Sequence, residues 1–130
     1  MSGPYATKEQ ALQAFWSSFG IMAKNELTVP DDIMTRSGGH YITYNVPIAS
    51  LDEPVPTYGL LYYKDSSWDA IKNKRREIEL AIGRAGKRIP YVGGILWITR
   101  GVPFSQPRQD ADDTIRCIYL NLTAEYCSGN

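Results

Sequence analysis

Hydrophobic positions along this chain switch between a helical and an alternating period, and the switches mark its elements. Leu12, Phe15, Trp16 and Phe19 recur at helical spacing behind Thr7-Lys-Glu-Gln10, a capping-box pattern that satisfies two orphan backbone donors at a helix start. Gly20 interrupts the pattern, but Ile21, Met22 and Ala23 extend the predicted helix to about Lys24. Pro30, with Asp31 and Asp32 behind it, marks a turn or the start of a short helix. Ser37-Gly-Gly39 breaks the chain, and His40 to Val46 then alternates with period two, which predicts a strand. Pro47 to Pro56 holds three prolines and reads as a connection. Thr57 to Tyr63 predicts a second strand, in which Gly59 points to a bulge or a close backbone approach.

The helical period returns after Asp65-Ser-Ser67, which can cap a second helix. Trp68, Ile71, Arg75, Ile78 and Ile82 follow at spacings of three or four, and Lys72, Lys74, Arg76, Glu77 and Glu79 take the other face. Gly83 and Gly86 supply stops, Arg84, Lys87 and Arg88 suit the negative end of the helix dipole, and Pro90 blocks continuation. Gly93 to Gly101 and Thr114 to Tyr126 are dense in β-branched and aromatic residues and predict two long strands. Val102 to Asp113 between them is polar and carries Pro103 and Pro107, so it reads as a wet loop.

The order helix, strand, strand, helix, strand, strand predicts an α+β fold, with a single layer of mostly antiparallel sheet packed against two helices. No linker divides the chain, so residues 1–130 are expected to form one domain. Phe15, Trp16, Phe19, Trp68, Ile71 and Ile78 are predicted to meet the inner face of the sheet, each contributing about 1.5–3 kcal/mol on full burial.

Composition narrows the classes. At 43% hydrophobic and 22% charged residues, the chain can bury a core without disulfide or metal staples. Fourteen basic residues balance fourteen acidic ones. A neutral chain is poorly suited to gripping duplex DNA and offers little self-repulsion against association. Cys117 and Cys127, roughly 33 Å apart along one extended strand, lie beyond disulfide reach and read as free thiols of a reducing compartment. Met1-Ser-Gly-Pro-Tyr-Ala lacks a basic region and an apolar core, and no apolar run approaches the ~20 residues of a membrane span. The expectation is a soluble protein made and kept in the cytosol. The Asn121-Leu-Thr123 sequon inside a strand is read as chance.

Candidate chemistry is sparse. His40 is the one histidine, and no Cys-x-x-Cys or His-x-x-x-His spacing exists, so no metal and no cofactor are expected. Asp110, Asp112 and Asp113 form an acidic cluster without the glycine and distal glutamate of a calcium loop. Gly93-Gly94 opens a strand rather than a helix, the wrong context for holding phosphates, and no serine or cysteine sits in a nucleophile elbow. No catalytic residue is named, and the chain is read as no enzyme. Tyr41, Tyr44, Tyr58, Tyr62 and Tyr63 crowd the first hairpin, with Tyr119 and Tyr126 on the last strand. Rings left on an uncovered sheet face would mark a protein interface.

Arg100-Gly-Val-Pro-Phe104, an acidic loop, and an Ile-Arg-x-Ile-Tyr-x-Asn-Leu strand ending in Ala124-Glu-Tyr126 resemble the tail-terminator or minor capsid proteins of long-tailed bacteriophages. The resemblance covers most of the chain in outline and about the last 35 residues in wording. It implies a ring-forming structural virion protein, commonly a hexamer, assembled in the host cytoplasm. Its partners would be copies of itself, the tail tube protein and a head-completion or neck protein, with DNA only as cargo through the lumen. The family has no catalytic residues to carry over. Interface candidates are Lys72, Arg75 and Arg76 on the basic helix, Pro103, Phe104, Arg108, Asp110, Asp112 and Asp113 in the loop, and Tyr119 on the last strand. Three alternatives stay open. They are another neck or tail-completion protein, a small α+β enzyme using His40 or a loop aspartate, and a nucleic-acid-binding module using Lys72, Lys74, Arg75 and Arg76.

Overall fold

Apolar residues that recur every second position need a partner strand on each side, and the last strand of this chain has both. A computed structural model describes residues 5–128. The reading of the first residues as free of a leader lies, for residues 1–4, outside that range. The elements are α1 (Lys8–Ser17), β1 (Met22–Asn25), a 3-10 turn (Glu26–Thr28), α2 (Ile33–Arg36), β2 (His40–Tyr44), β3 (Pro54–Lys64), α3 (Asp69–Ile82), β4 (Lys87–Tyr91), β5 (Gly94–Gln109) and β6 (Ile115–Ser128). They form a mixed α+β fold with a six-stranded curled sheet in the order β1-β2-β3-β6-β5-β4 and three helices. Only the β1–β2 pair is parallel among the described strands.

Along β6 the buried residues Ile118, Leu120, Leu122, Ala124 and Tyr126 alternate with half-exposed Tyr119, Asn121, Thr123 and Glu125. Register carries this alternation sideways: Leu61 faces Ile118, Gly59 faces Leu120, and Ile98 faces Ala124. These inner residues join Leu12, Phe15, Trp16 and Phe19 of the N-terminal segment and Ile71, Ile78 and Ile82 of α3 in one core cluster. Thr7 caps α1 as its sequence predicts, its hydroxyl accepting from the Gln10 backbone N–H at 3.1 Å. Trp68 is half-buried just before α3 and packs against the margin of this core, with the Arg116 guanidinium over its ring.

Three expectations are corrected. First, α1 ends at Ser17 rather than near Lys24, because the Ser18 hydroxyl donates to the Phe15 carbonyl and Gly20 takes a left-handed φ of +79°. The released residues form β1, where Ala23 pairs beside Ile42, and the segment holding α2 is the crossover that a parallel pair requires. Second, the stop signals after α3 hide a strand. In β4, Ile89 and Tyr91 are buried, and Pro90 is tolerated because β4 lies at the sheet edge. Third, Val102 to Asp113 is not a wet loop. After Arg100 pairs with Leu122, the four residues Gly101 to Phe104 bulge opposite Asn121, and Ser105 to Gln109 then pair with Leu120 to Arg116. Pro103, Phe104 and Arg108 therefore belong to β5, and only the short connection between β5 and β6 is a loop. Since β3 runs along the other edge of β6 from Lys64 to Pro54, the last two strands are no free ribbon.

Gly59 realises the close approach its sequence position suggested. A Cβ built there would lie 2.5 Å from the Trp16 ring. Gly59→Ala is expected to destabilise the fold by about 1–3 kcal/mol through overpacking, read as a lower urea midpoint at unchanged slope. A midpoint equal to wild type would show that Trp16 has room to yield.

Candidate assembly surface

The side chains that alternate away from the core bring tyrosines from separate strands onto one patch. Tyr41 on β2 and Tyr62 on β3 are direct partners, and their rings stack with centroids 4.7 Å apart. Tyr58 on β3 stacks on Tyr119 of β6 at 5.4 Å, and the Arg108 guanidinium of β5 lies over Tyr119 at 4.7 Å. Farther along β5, Trp97 carries the Arg88 guanidinium at 5.1 Å and donates its indole N–H to the Ala85 carbonyl. Such stacked pairs contribute about 0.5–1.5 kcal/mol beyond burial. They also hold the rings still, which lowers the entropic cost of docking something on them.

Polar partners pin the patch. The Tyr58 hydroxyl donates to Glu26 Oε2 at 2.6 Å. That hydrogen bond, with burial and the Glu26 charge behind it, pushes the Tyr58 phenol up to about 12. Cys117 is buried among these rings, and burial raises its thiol to about 11 although Tyr62 hydrogen-bonds to it. Burial first, and then the Asp110 carboxylate, raises Tyr41 as well.

Of the residues singled out from sequence, the structure thus gathers Arg108, Asp110 and Tyr119. The others are scattered. Lys72 and Arg76 are exposed on α3, whereas Arg75 pairs with Glu79 at 3.4 Å and is half-buried, so it is not a free member of a basic run. Arg100, which carried no assigned role, reaches the other oxygen of Glu79 at 3.1 Å. Among the described residues no ion pair joins α3 to the acidic tip. Asp112 turns back on that tip, accepting from the Thr114 backbone N–H and hydroxyl, and these bonds hold its carboxyl below the usual range. Asp113 is not among the scattered ones: it lines a cleft of about 370 Å³ together with Arg108, Asp110, Trp68 and Arg116. Pro103 and Phe104 sit in the β5 bulge, whose Pro103 carbonyl accepts from Asn121 Nδ2.

His40 opens β2 with its ring stacked on Tyr63 at 4.1 Å. Among the described residues no group of three or more His, Cys, Asp or Glu could hold a metal ion. Sequence reasoning named the tyrosines without their pairing, and Trp97, Arg88 and Glu26 were missed. The period-two run Tyr58, Leu60, Tyr62 was the legible signal, since it places all three side chains on one face. Comparison with protein-family models, curated proteins and solved structures finds no match for this chain.

A pH prediction follows from the protons. The Tyr58 and Tyr126 phenols, both raised from 10.0 to about 12, and the Cys117 thiol, raised from 9.0 to about 11, hold their protons more tightly folded than unfolded. Stability from these groups is complete below their unfolded values and is lost as pH rises through the folded ones. The larger part of the tyrosinate absorbance is expected to develop above pH 10 and to climb toward pH 12 together with loss of near-ultraviolet circular dichroism. Full tyrosinate formation by pH 10 with tertiary structure intact would contradict it.

Proposed function

We propose that this chain is a structural virion protein of the tail-terminator type, which associates with copies of itself into a ring that caps a tail tube and joins it to a head. The observation that carries this reading is the tyrosine face, on which two pre-stacked pairs, Tyr41 with Tyr62 and Tyr58 with Tyr119, lie on one side of β2, β3 and β6, with the Arg108 side chain of β5 over Tyr119. In this reading α1 and α3 form one layer on the inner side of the sheet, and the outer side is left for subunits. The β5 edge beyond β4 supports it. From Thr99 to Gln109 this strand has β6 on one side and no described strand on the other. Pro103 and Pro107 remove two donors from that edge, which protects it against indiscriminate strand pairing and leaves side chains to choose partners.

The basic side chains of α3 and the acidic tip serve register more than affinity, because exposed ion pairs contribute only about 0–1 kcal/mol each. DNA enters this reading as cargo through the ring. The same rings with Arg108 also have the chemistry of a single-strand stacking platform. Their pairing with one another, and the carboxylates of Glu26 and Asp110 beside them, favour protein over nucleic acid.

Light scattering over a concentration series is expected to give a mass rising to a multiple of the protomer, with annular particles in negative stain. Replacing Tyr119 by Ser together with Arg108→Ala should leave circular dichroism unchanged and weaken association roughly tenfold or more. A strict monomer at every concentration, both free and on tail tubes, would sink the reading. Single-strand binding that weakens steeply with salt would transfer the face to nucleic acid.

A further inference from the structure

One cleft of this molecule collects charges of both signs that have not paired with each other. Trp68, Arg108, Asp110, Asp113 and Arg116 line it, a space of about 370 Å³ where the ends of β5 and β6 meet the start of α3. Among the described residues no ion pair takes in any of these charged side chains. Three of them are engaged elsewhere. The Arg108 guanidinium lies over the Tyr119 ring at 4.7 Å. Arg116 Nη1 donates to the Asp113 carbonyl at 3.0 Å and its Nη2 to the Ser66 carbonyl at 2.9 Å. Asp110 Oδ1 accepts from the Asp112 backbone N–H at 2.9 Å. Asp113 stands exposed. Positive and negative groups are therefore both available to something seated between them.

A second observation points the same way. Arg116 Nε is buried, and among the described residues it has no acceptor. Its guanidinium thus meets carbonyls and a ring but no carboxylate, and a buried donor left unmet asks for a partner. The walls suit a flat ligand. The Arg116 guanidinium lies over the Trp68 ring at 5.4 Å, and Pro107 and Ile115 add apolar surface. Aromatic rings and guanidinium planes are the surfaces on which nucleobases stack. The volume is that of a small-ligand cleft. A bare anion there would meet two carboxylates, and a bare cation two guanidiniums. A neutral ring with acceptors on one edge and donors on another satisfies both. Guanine has the acceptors O6 and N7 on one edge and the donors N1–H and N2–H on the other. Adenine and cytosine each offer one amino donor, and uracil one ring N–H.

We infer that this cleft binds a guanine base, with Arg108 and Arg116 serving its O6 and N7 edge, Asp110 and Asp113 its N1–H and N2–H edge, and the Trp68 wall its ring. A free nucleotide and a nucleic-acid strand carry the same base, so the chemistry is shared and the carrier is a matter for the test. The inference stands on the cleft alone and does not need the ring-forming reading.

Guanosine, which carries the ring without a phosphate, is the probe. Titrated into the full chain, it is expected to quench tryptophan fluorescence saturably and to move the Arg108 and Arg116 Nε–H signals in nitrogen-resolved NMR spectra. Adenosine, cytidine and uridine should bind roughly tenfold more weakly or worse. Trp68→Phe should abolish the quenching while the Nε–H shifts remain. Asp113→Ala, at an exposed position, should weaken guanosine roughly tenfold with circular dichroism unchanged. Guanosine monophosphate and a short single strand with one guanine separate the carriers, the tighter of the two naming the one this cleft serves. Equal affinity for all the nucleosides overturns the inference, as does guanosine binding that Asp113→Ala and Arg108→Ala both leave intact. The absence of a saturable response to nucleoside, nucleotide and strand also overturns it. None of these results bears on self-association, which light scattering reads separately.

Discussion

The central position of β6 is the constraint on which the other features depend. Its backbone is paired on both edges, to β3 from Ile115 to Glu125 and to β5 from Arg116 to Ser128. A slip of one residue against either neighbour would turn Leu120 and Leu122 outward and Tyr119 inward. Two ladders therefore hold one register. The same register puts a core of aliphatic side chains on one side and the stacked tyrosines on the other. Surface and core are two readings of a single alternation.

The β5 bulge follows from that constraint. Four residues of β5 face one of β6 at Asn121, and the surplus would throw the rest of the strand out of phase if it were spread along the ladder. Concentrating it lets Leu96 and Ile98 remain in the core while Gln106 stays opposite Tyr119. The surplus has to leave the sheet, and Val102 is what it carries outward. An exposed aliphatic side chain on an anchored bulge is thus a product of register, available for use as a contact.

Energetics favour shape over charge in deciding what this surface does. Apolar burial contributes about 25 cal/mol per Å², so a docked patch of rings outweighs several exposed ion pairs. Charges act mainly inside the fold: Arg100 on Glu79 fastens β5 to α3, and Asp52 fastens its segment to the end of β6.

Period and composition were enough to place α3, the two longest strand cores and the apolar residues that fill the interior, because these depend on side chains within a few positions of one another. Gly59 announced its close approach in the same way, through a missing side chain inside an alternating run. The end of α1, the existence of β4, and the second half of β5 were not legible. Ile21 to Ala23 suit a helix or a strand equally, and the left-handed Gly20 with β2 waiting beside it decided the matter. Ser105 to Gln109 are polar and read as loop, yet a strand at an edge needs only a partner's backbone, and Arg116 to Leu120 supply it. Which tyrosines stack was likewise beyond local pattern, since it depends on register between β2, β3 and β6. Hydrophobic period is written residue by residue along the chain, whereas backbone pairing joins segments far apart in it, and only folding brings those together.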